Sequence, residues 1–311
     1  MRPGQSIAVV APSFFIEKHD HAERGLRMLR ERGYSLRLAS TLFQRFENTT
    51  GRARERVDDL HACFADDRIG AIICTDGGAR ALELVPHLDY ELIERHPKLL
   101  SGFSDITHLL LAIAAKTGMP TLHGLDIVNG FGAPPESPHY QANVDWFWRL
   151  TSAPCGDVPR LTPWTVWRPG RATGVLVGGW LDAVMHLAGT EYFPVYDRMI
   201  LFWEAIALET NQMLMRLNAL RLMPWFHRVQ GMVVGKLTDC QEKEYADCLP
   251  QVKEGVLDVF RDDTFPILGD VDFGHGQQHL SMPIGCTASL DTETLSIRLD
   301  PASTVDQNGP T

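Results

Sequence analysis

A serine stands where an apolar, strand-like segment meets an apolar, helix-like segment. In KLLSGFSDITHLLLAIAAKTG (98–118), an apolar pair leads into Gly-Phe-Ser-Asp, and a long apolar run follows at once. Ser104 on such a turn would expose its hydroxyl beside unbonded backbone N–H groups, which can cap a helix, bind an anion or attack a carbonyl. A G-x-S pattern is common, and Ile106 replaces the second glycine of the usual nucleophile elbow. A catalytic role therefore needs a base and an acid elsewhere.

His275 is the histidine whose neighbours best suit a catalytic base. It lies between Gly274 and Gly276 in DFGHGQQHL, and small neighbours let the backbone turn tightly and a substrate approach. A solvated loop histidine is an equally good interpretation of that stretch. His123, in TLHGL, follows a predicted strand and is a further candidate for lining a site. The pattern predicts helix-face, structural or exposed positions for three others: His61, His108 and His186.

Glu204 is the best candidate for the acid. It closes the apolar strand-like run MILFWEA, and a carboxylate at that point is usually paired or catalytic because an unpaired buried charge is costly. Glu209 competes with it, but it falls in or near the next predicted helix and is expected to be more exposed.

Alternating strands and helices over the first 130 residues would position these groups. The strand-like segments are SIAVVAP, SLRLAS, IGAIICTDGG and KLLSG, with helix-like segments between them. This alternation predicts a doubly wound, flavodoxin-like α/β domain with a parallel sheet. Ligands of such sheets bind at the carboxyl ends of the strands, and both TDGGAR and SGFSD lie at such ends.

Composition shifts divide the chain further. We predict an N-terminal α/β domain over 1–135, a Pro/Trp-rich linker over 136–170, and a C-terminal domain over 171–300. The second domain is expected to be a smaller α/β domain with a mixed or barrel-like sheet. A polar tail covers 301–311.

The overall composition is that of an ordinary globular protein. The 311 residues are 44% hydrophobic and 22% charged, and the net charge is −10. This charge argues against nucleic-acid or anionic-membrane partners, which need a cationic surface. The six cysteines follow no metal-finger spacing and are expected to be reduced: Cys63, Cys74, Cys155, Cys240, Cys248 and Cys286. The N-terminal apolar stretch, 7–11, is too short for a signal peptide, so a cytoplasmic protein is expected.

An ordered set of motifs resembles the LD-carboxypeptidase family of serine peptidases, which contains the muramoyltetrapeptide carboxypeptidases and the microcin-immunity peptidases. The set comprises RPGQSIAVVAPS, a strand ending in paired glycines, G-x-S-D, a strand-borne glutamate and DFGHG. The resemblance spans roughly 2–299. Each motif alone is weak, whereas the five in this order are fairly specific.

The resemblance implies a Ser–His–Glu triad divided between two domains. Ser104 would be the nucleophile, His275 the general base and Glu204 the group that orients it. The oxyanion hole would use the backbone N–H groups of Gly78 and Asp105. No metal or organic cofactor is implied, and a homodimer is expected.

Three positions depart from the tetrapeptidase pattern. Asp76 precedes Gly77-Gly78 where the family often has arginine, Trp180 follows a Gly-Gly pair where it has asparagine, and Ala205 follows Glu204 where it has aspartate. The predicted substrate contacts are Asp76, Gly77, Arg80 and Trp180. Arg80 would either bind a substrate carboxylate or, slightly favoured, remain solvated beside Asp76 or Glu83.

Three functions stay open at this point. The first is a carboxypeptidase that releases a terminal D-amino acid from a cell-wall peptide. The second is an amidase of the microcin-immunity kind that acts on a peptidyl or aminoacyl nucleotide-like amide, with Trp164, Trp167 or Trp180 stacking on the base. The third is a binding protein with a degenerate site.

Overall fold

The first of two sheets is built mainly from the N-terminal strands. A computed structural model describes residues 5–152, 155–240 and 251–300. Five parallel strands and one antiparallel strand, β12, form this sheet. Across the sheet they are β12 (Met282–Ile284), β5 (Thr121–His123), β4 (Leu99–Gly102), β3 (Ile69–Cys74), β1 (Ser6–Val10) and β2 (Leu36–Leu38).

Helices cover both faces of this sheet, which explains why β1 and β3 are continuous apolar runs. They are α1 (His19–Glu31), α2 (Ala53–Ala65), α3 (Tyr90–Arg95), α4 (Thr107–Thr117) and α5 (Tyr140–Ser152). Because β1 lies between β2 and β3, the strand order reverses at its carboxyl end. A crevice opens at such a reversal in open α/β sheets.

The second sheet has eight strands and is mixed. Across it they are β6 (Gly156–Asp157), β14 (Ser296–Leu299), β13 (Thr287–Asp291), β8 (Arg171–Trp180), β9 (Met199–Ile206), β10 (Val229–Thr238), β11 (Ile267–Gly269) and β7 (Thr165–Arg168). The four strands from β8 to β11 run parallel. Its helices are α6 (Leu181–Leu187), α7 (Thr210–Arg221) and α8 (Val252–Val259).

The predicted fold class, two α/β domains of which the second has a mixed sheet, is confirmed. Two details differ from the expectations. The segment expected to be a linker contributes a strand, β7, which pairs with β11 in the second sheet. Strand β12, from the C-terminal part of the chain, completes the first sheet. The domain limits stay a prediction, and the tail 301–311 lies outside the described residues. Within the described residues, no helix combines the length and apolar character that crossing a membrane requires.

Candidate active site

Ser104 occupies a strained turn between β4 and α4. Its backbone φ is +57°, in the left-handed region that a residue with a Cβ adopts only at a cost of about 1–3 kcal/mol. A short 3₁₀ turn, Ser104–Ile106, follows and leads directly into α4. Strain of this kind is typical of a nucleophile elbow, which keeps the hydroxyl clear of the helix that it precedes.

The paired glycines after β3 press against this serine. A Cβ added to Gly77 would lie 2.7 Å from Ser104 Cβ and 3.0 Å from its Oγ, so a side chain there would displace the serine. Gly78 has a φ of +143°, and a Cβ on it would lie 2.5 Å from Ser13 Oγ. Within the described chain, neither Gly78 nor Asp105 donates its backbone N–H to another group. Both N–H groups remain available to a bound anion.

The Asp105 carboxylate ties this loop to the elbow. It accepts hydrogen bonds from Ser13 Oγ at 2.5 Å and from the Ala81 N–H at 2.7 Å, and His108 Nδ1 lies 3.1 Å from it. Burial raises the pKa of Asp105, but its hydrogen bond with His108 and the other donors outweigh burial and lower the pKa overall. Beyond the backbone N–H role and the favourable first-turn charge expected for Asp105, its side chain fixes the loop that carries the glycines.

His275 and Glu204 meet across the second sheet. His275 Nδ1 lies 2.7 Å from Glu204 Oε2, and the glutamate side chain on β9 is fully buried. Gly274 (φ +119°) brings the loop close, since a Cβ there would lie 3.0 Å from Glu204 Cβ. The Phe103 ring packs on the imidazole at 4.9 Å between centroids. A carboxylate at Nδ1 fixes the tautomer, so that Nε2 is the acceptor.

One cavity joins these groups. Ser104, Gly77, Gly78 and His275 all line a space of about 710 Å³ between the two sheets. The sequence-predicted nucleophile, base and one of the two N–H donors, Gly78, therefore line one space; Asp105, the other donor, directly follows Ser104, and Glu204 is buried behind the base. Such a group can attack a carbonyl, take up the proton and stabilise an oxyanion.

Comparison with known proteins now decides the family. The model of the LD-carboxypeptidase N-terminal domain matches residues 7–124, and that of the LD-carboxypeptidase C-terminal domain matches residues 173–290. The chain belongs to the LD-carboxypeptidase family.

One curated relative agrees with that assignment, and two solved structures show the same fold. The "Probable murein peptide carboxypeptidase" of Bacillus subtilis is 30% identical over 94% of this chain and 90% of that protein. Two solved structures share the fold. MccF in complex with glutamyl sulfamoyl guanosine has a TM-score of 0.87 at 22% identity and covers 98% of both chains. The muramoyltetrapeptide carboxypeptidase from Oxalobacter formigenes has a TM-score of 0.83 at 23% identity and covers 96% of this chain and 99% of that one.

The far end of the LD-carboxypeptidase cavity is a hydrogen-bonded set of polar residues. Asp76 Oδ1 accepts from its neighbour's N–H at 2.8 Å and from Asn129 Nδ2 at 2.7 Å. Asp126, fully buried, accepts from the backbone N–H groups of Asn129 and Gly130. Burial, followed by the charge of Asp76, raises the pKa of Asp126 well above its usual range, and burial also raises that of Asp76. These two carboxyls hold protons more readily than ordinary aspartates.

Lys18 is a lining residue that the sequence argument missed. Its ammonium donates to Asn129 Oδ1 at 3.0 Å. It is the one lysine or arginine among the described residues that line the cavity. Lys18 lies immediately before α1 and nearly sixty positions before Asp76, so sequence spacing does not connect the two residues. The one indication of a binding role is that Lys18 follows β1, on the side of the sheet where the strands have their carboxyl ends.

Arg80 and the tryptophans lie away from this cavity. The Arg80 guanidinium pairs with Glu83 at 2.9 Å and with Glu47 at 3.4 Å, as the solvated alternative expected. Trp180 packs edge-on against His108. Trp164 is buried and donates its indole N–H to Asp272, and Trp167 is also buried. None of these four is among the described residues that line the space around Ser104.

The remaining predicted residues have structural surroundings. Glu209 is the N-cap of α7, and His61 Nε2 accepts the backbone N–H of Asp89. Five cysteines lie among the described residues and are unbridged, and Cys248 lies outside them. No cluster of three or more His, Cys, Asp or Glu side chains suited to a metal occurs in the described ranges.

Proposed function

We propose that this LD-carboxypeptidase family member is a serine carboxypeptidase that cleaves the amide between an L-centre and a terminal D-amino acid of a murein-derived peptide. Ser104 is the nucleophile, His275 the base, and Glu204 orients the base. The observation that carries the proposal is the 2.7 Å contact between His275 Nδ1 and buried Glu204, in a cavity shared with a serine at φ +57°.

The reaction follows from these positions. His275 Nε2 takes the Ser104 proton as Oγ attacks the substrate carbonyl, and the Gly78 and Asp105 N–H groups receive the oxyanion. The imidazolium then protonates the leaving amine, and an acyl-enzyme remains. Water, deprotonated by His275, hydrolyses that ester and restores the serine. Every step uses side chains and backbone of this chain.

A carboxypeptidase must also bind a terminal carboxylate. Lys18 supports this requirement because it is the one lysine or arginine of the cavity wall among the described residues, and it donates its hydrogen bond to a neutral amide. A raised pKa at Asp76 reduces the repulsion that its carboxyl would exert on an incoming anion.

Asp76 favours a second candidate, an amidase that acts on a peptidyl or aminoacyl nucleotide-like amide. Its carboxyl lines the cavity one residue from Gly77, where it would attract an amine or hydroxyl and repel a carboxylate. The stacking role suggested for the tryptophans has no support, since they lie elsewhere.

Matched substrates distinguish these functions. We expect the enzyme to hydrolyse an L–D peptide with a free terminal acid faster than its C-terminal amide, and to ignore the L–L diastereomer. Faster turnover of the amide, or of an aminoacyl sulfamoyl adenylate, would favour the amidase.

A serine-directed fluorophosphonate probe tests the third possibility, a binding protein. Labelling that disappears in Ser104→Ala supports an enzyme, whereas an unlabelled wild-type protein would favour a degenerate site. We further propose a role in cell-wall peptide recycling in the cytoplasm, as a homodimer. Light scattering of the purified protein tests the oligomeric state.

A further inference from the structure

A second histidine faces the oxygen of Glu204 that His275 leaves unbonded. Glu204 Oε2 contacts His275, but Oε1 has no hydrogen-bond partner among the described residues. His123 Nε2 lies 3.9 Å from Oε1 and is likewise unpartnered there. Both side chains are buried, at 1% and 0% exposure. Two buried, unpaired polar atoms that face each other would be costly unless they interact.

The other ring nitrogen of His123 indicates which tautomer is present. Thr107 Oγ1 lies 3.2 Å from His123 Nδ1 and accepts the backbone N–H of Trp180 at 3.4 Å. Among the described residues, Nδ1 is the only acceptor that the hydroxyl proton of Thr107 can reach, and a nitrogen that accepts this proton carries none of its own. The single proton of a neutral imidazole is thus on Nε2, toward Glu204. The opposite tautomer would set a lone pair against the carboxylate.

Burial keeps this imidazole neutral. It lowers the pKa of His123 well below its ordinary value, and the charges of His279 and His275 lower it further. The titratable groups that face the ring are these two histidines and Glu204. Gly179 of β8 makes the arrangement sterically possible, since a Cβ there would lie 2.9 Å from His123 Nδ1.

We propose that His123 is a positioning residue that directs its Nε2–H at Glu204 Oε1 and thereby holds the carboxylate that orients His275. The inference rests on the proposed serine mechanism. His123 ends β5 in the first sheet and Glu204 lies on β9 in the second, so the contact links the acid to the sheet that carries Ser104. A contact of 3.9 Å is electrostatic, and contacts of this kind can tighten when the base becomes charged.

Two substitutions at His123 separate positioning from packing. His123→Leu keeps most of the volume but removes the N–H, whereas His123→Gln keeps an N–H donor. We expect His123→Leu to lower kcat by about 10- to 100-fold with a small change in KM, and His123→Gln to recover most of that loss. The acid limb of the kcat/KM profile should move to higher pH in His123→Leu. Without the His123 N–H, more of the negative charge of Glu204 acts on His275, which favours the protonated imidazole.

Thr107→Val is the second test, which does not alter the histidine. It removes the hydroxyl that selects the tautomer, so kcat should fall and the same limb should shift in the same direction, both to a smaller extent. His96→Gln is the matched control and should behave as wild type, because His96 lies just before β4, at the amino ends of the parallel strands and away from Glu204.

The outcomes are distinct. Wild-type kcat and an unshifted acid limb in a folded His123→Leu, or equal damage from His123→Gln and His123→Leu with equal melting temperatures, would overturn the positioning role. If His123→Leu does not fold, an unchanged Thr107→Val profile would overturn it. Failure of the serine mechanism would instead appear in the wild type, as absent fluorophosphonate labelling.

Discussion

The carboxyl groups near Ser104 and those at the far end of the cavity have opposite surroundings. Near Ser104, the buried Glu204 carboxylate faces two imidazoles, and each of its oxygens points at one ring. At the far end, Asp76 and Asp126 share an amide neighbour, and burial raises the pKa of both carboxyls. The reaction end is thus arranged to keep its carboxylate paired, whereas the far end is arranged so that its carboxyls retain protons.

This difference indicates where specificity can change. The reaction end depends on contacts among Ser104, His275 and Glu204 and on a contact between strands of two sheets, so a substitution there should lower turnover. The far end is built from Lys18, Asp76 and Asn129, which lie outside the strands of the two sheets, and one substitution can reverse its charge without replacing Ser104. Substrate preference should therefore vary more readily than chemistry.

The largest expected effect is loss of the nucleophile or base. Ser104→Ala and His275→Ala should each lower kcat by at least about 10³-fold, because the two side chains act as one unit. The double variant should be no worse than either single one, measured with an L–D peptide under saturating conditions. Near-wild-type turnover by Ser104→Ala would contradict the serine mechanism. It would also contradict the assignment of chemistry to the Ser104 end and of substrate binding to the far end.

A smaller effect is expected at the acid. Glu204→Gln keeps the shape but lacks the charge that stabilises the imidazolium, so kcat should fall by about 10²- to 10³-fold, with little change in KM. Glu209→Gln is the matched control, since Glu209 caps α7. Greater damage from the control would mean that the wrong carboxylate has been chosen.

The far end should affect binding instead of chemistry. Lys18→Ala should raise KM for a free-acid L–D peptide by about 10- to 100-fold, because a charge-assisted hydrogen bond contributes about 1.5–3 kcal/mol, and it should leave the amidated peptide almost unchanged. Arg80→Ala is the control, because its guanidinium already pairs with Glu83 and Glu47. If Arg80→Ala raises KM for the free-acid peptide, relative to the amidated peptide, more than Lys18→Ala does, Arg80 is the residue that binds the carboxylate.

Sequence reasoning predicted the reaction end better than the far end for a physical reason. Ser104 follows the strand-like segment KLLSG, Glu204 lies in the apolar run MILFWEA, and His275 lies between glycines. Each of these local patterns can be recognised in a single sequence. Lys18 precedes α1 and Asn129 lies in a short π-helix, Ile127–Phe131; neither position has a sequence pattern that marks a site, and only the fold brings the two side chains together. The role of the Asp105 side chain in fixing the glycine loop was missed because Ser13 and Ala81, the partners on that side, are distant in sequence.

The fold shows the same limit. Strand alternation predicted the first sheet, but β12 has three residues and lies far along the chain, too short for a periodic signal. RALELVPHL, one of the helix-like segments between the predicted strands, forms only a short 3₁₀ turn, Leu82–His87, because Pro86 lacks the N–H that a continuing α-helix needs. The Pro/Trp-rich stretch looked like a linker because β7 has only four residues between prolines.

The smallest expected effect is on the pH dependence of stability. A residue near Ser104 and a residue at the far end should change stability with pH in opposite directions. Burial, followed by the charge of His275, lowers the pKa of His279 to about 3, so the unfolded chain binds this proton first as the pH falls. The contribution of His279 to stability is present above about pH 6.5 and is lost toward pH 3, at up to about 1.4 kcal/mol per pH unit. Asp126 has a raised pKa, so its contribution is present at low pH and falls as the pH rises through the range between its unfolded and folded pKa values.

Two isosteric substitutions test these opposite signs by thermal unfolding at pH 4 and pH 7. His279→Gln removes the low-pH penalty, so its melting temperature relative to wild type should be higher at pH 4 than at pH 7. Asp126→Asn keeps an oxygen for the backbone N–H groups and removes the cost of ionisation, so its relative melting temperature should be higher at pH 7 than at pH 4. Comparing each variant with wild type at both pH values cancels packing changes, such as those against Phe103, that do not depend on pH. Parallel rather than crossing trends would show that the two ends do not differ in how they hold protons.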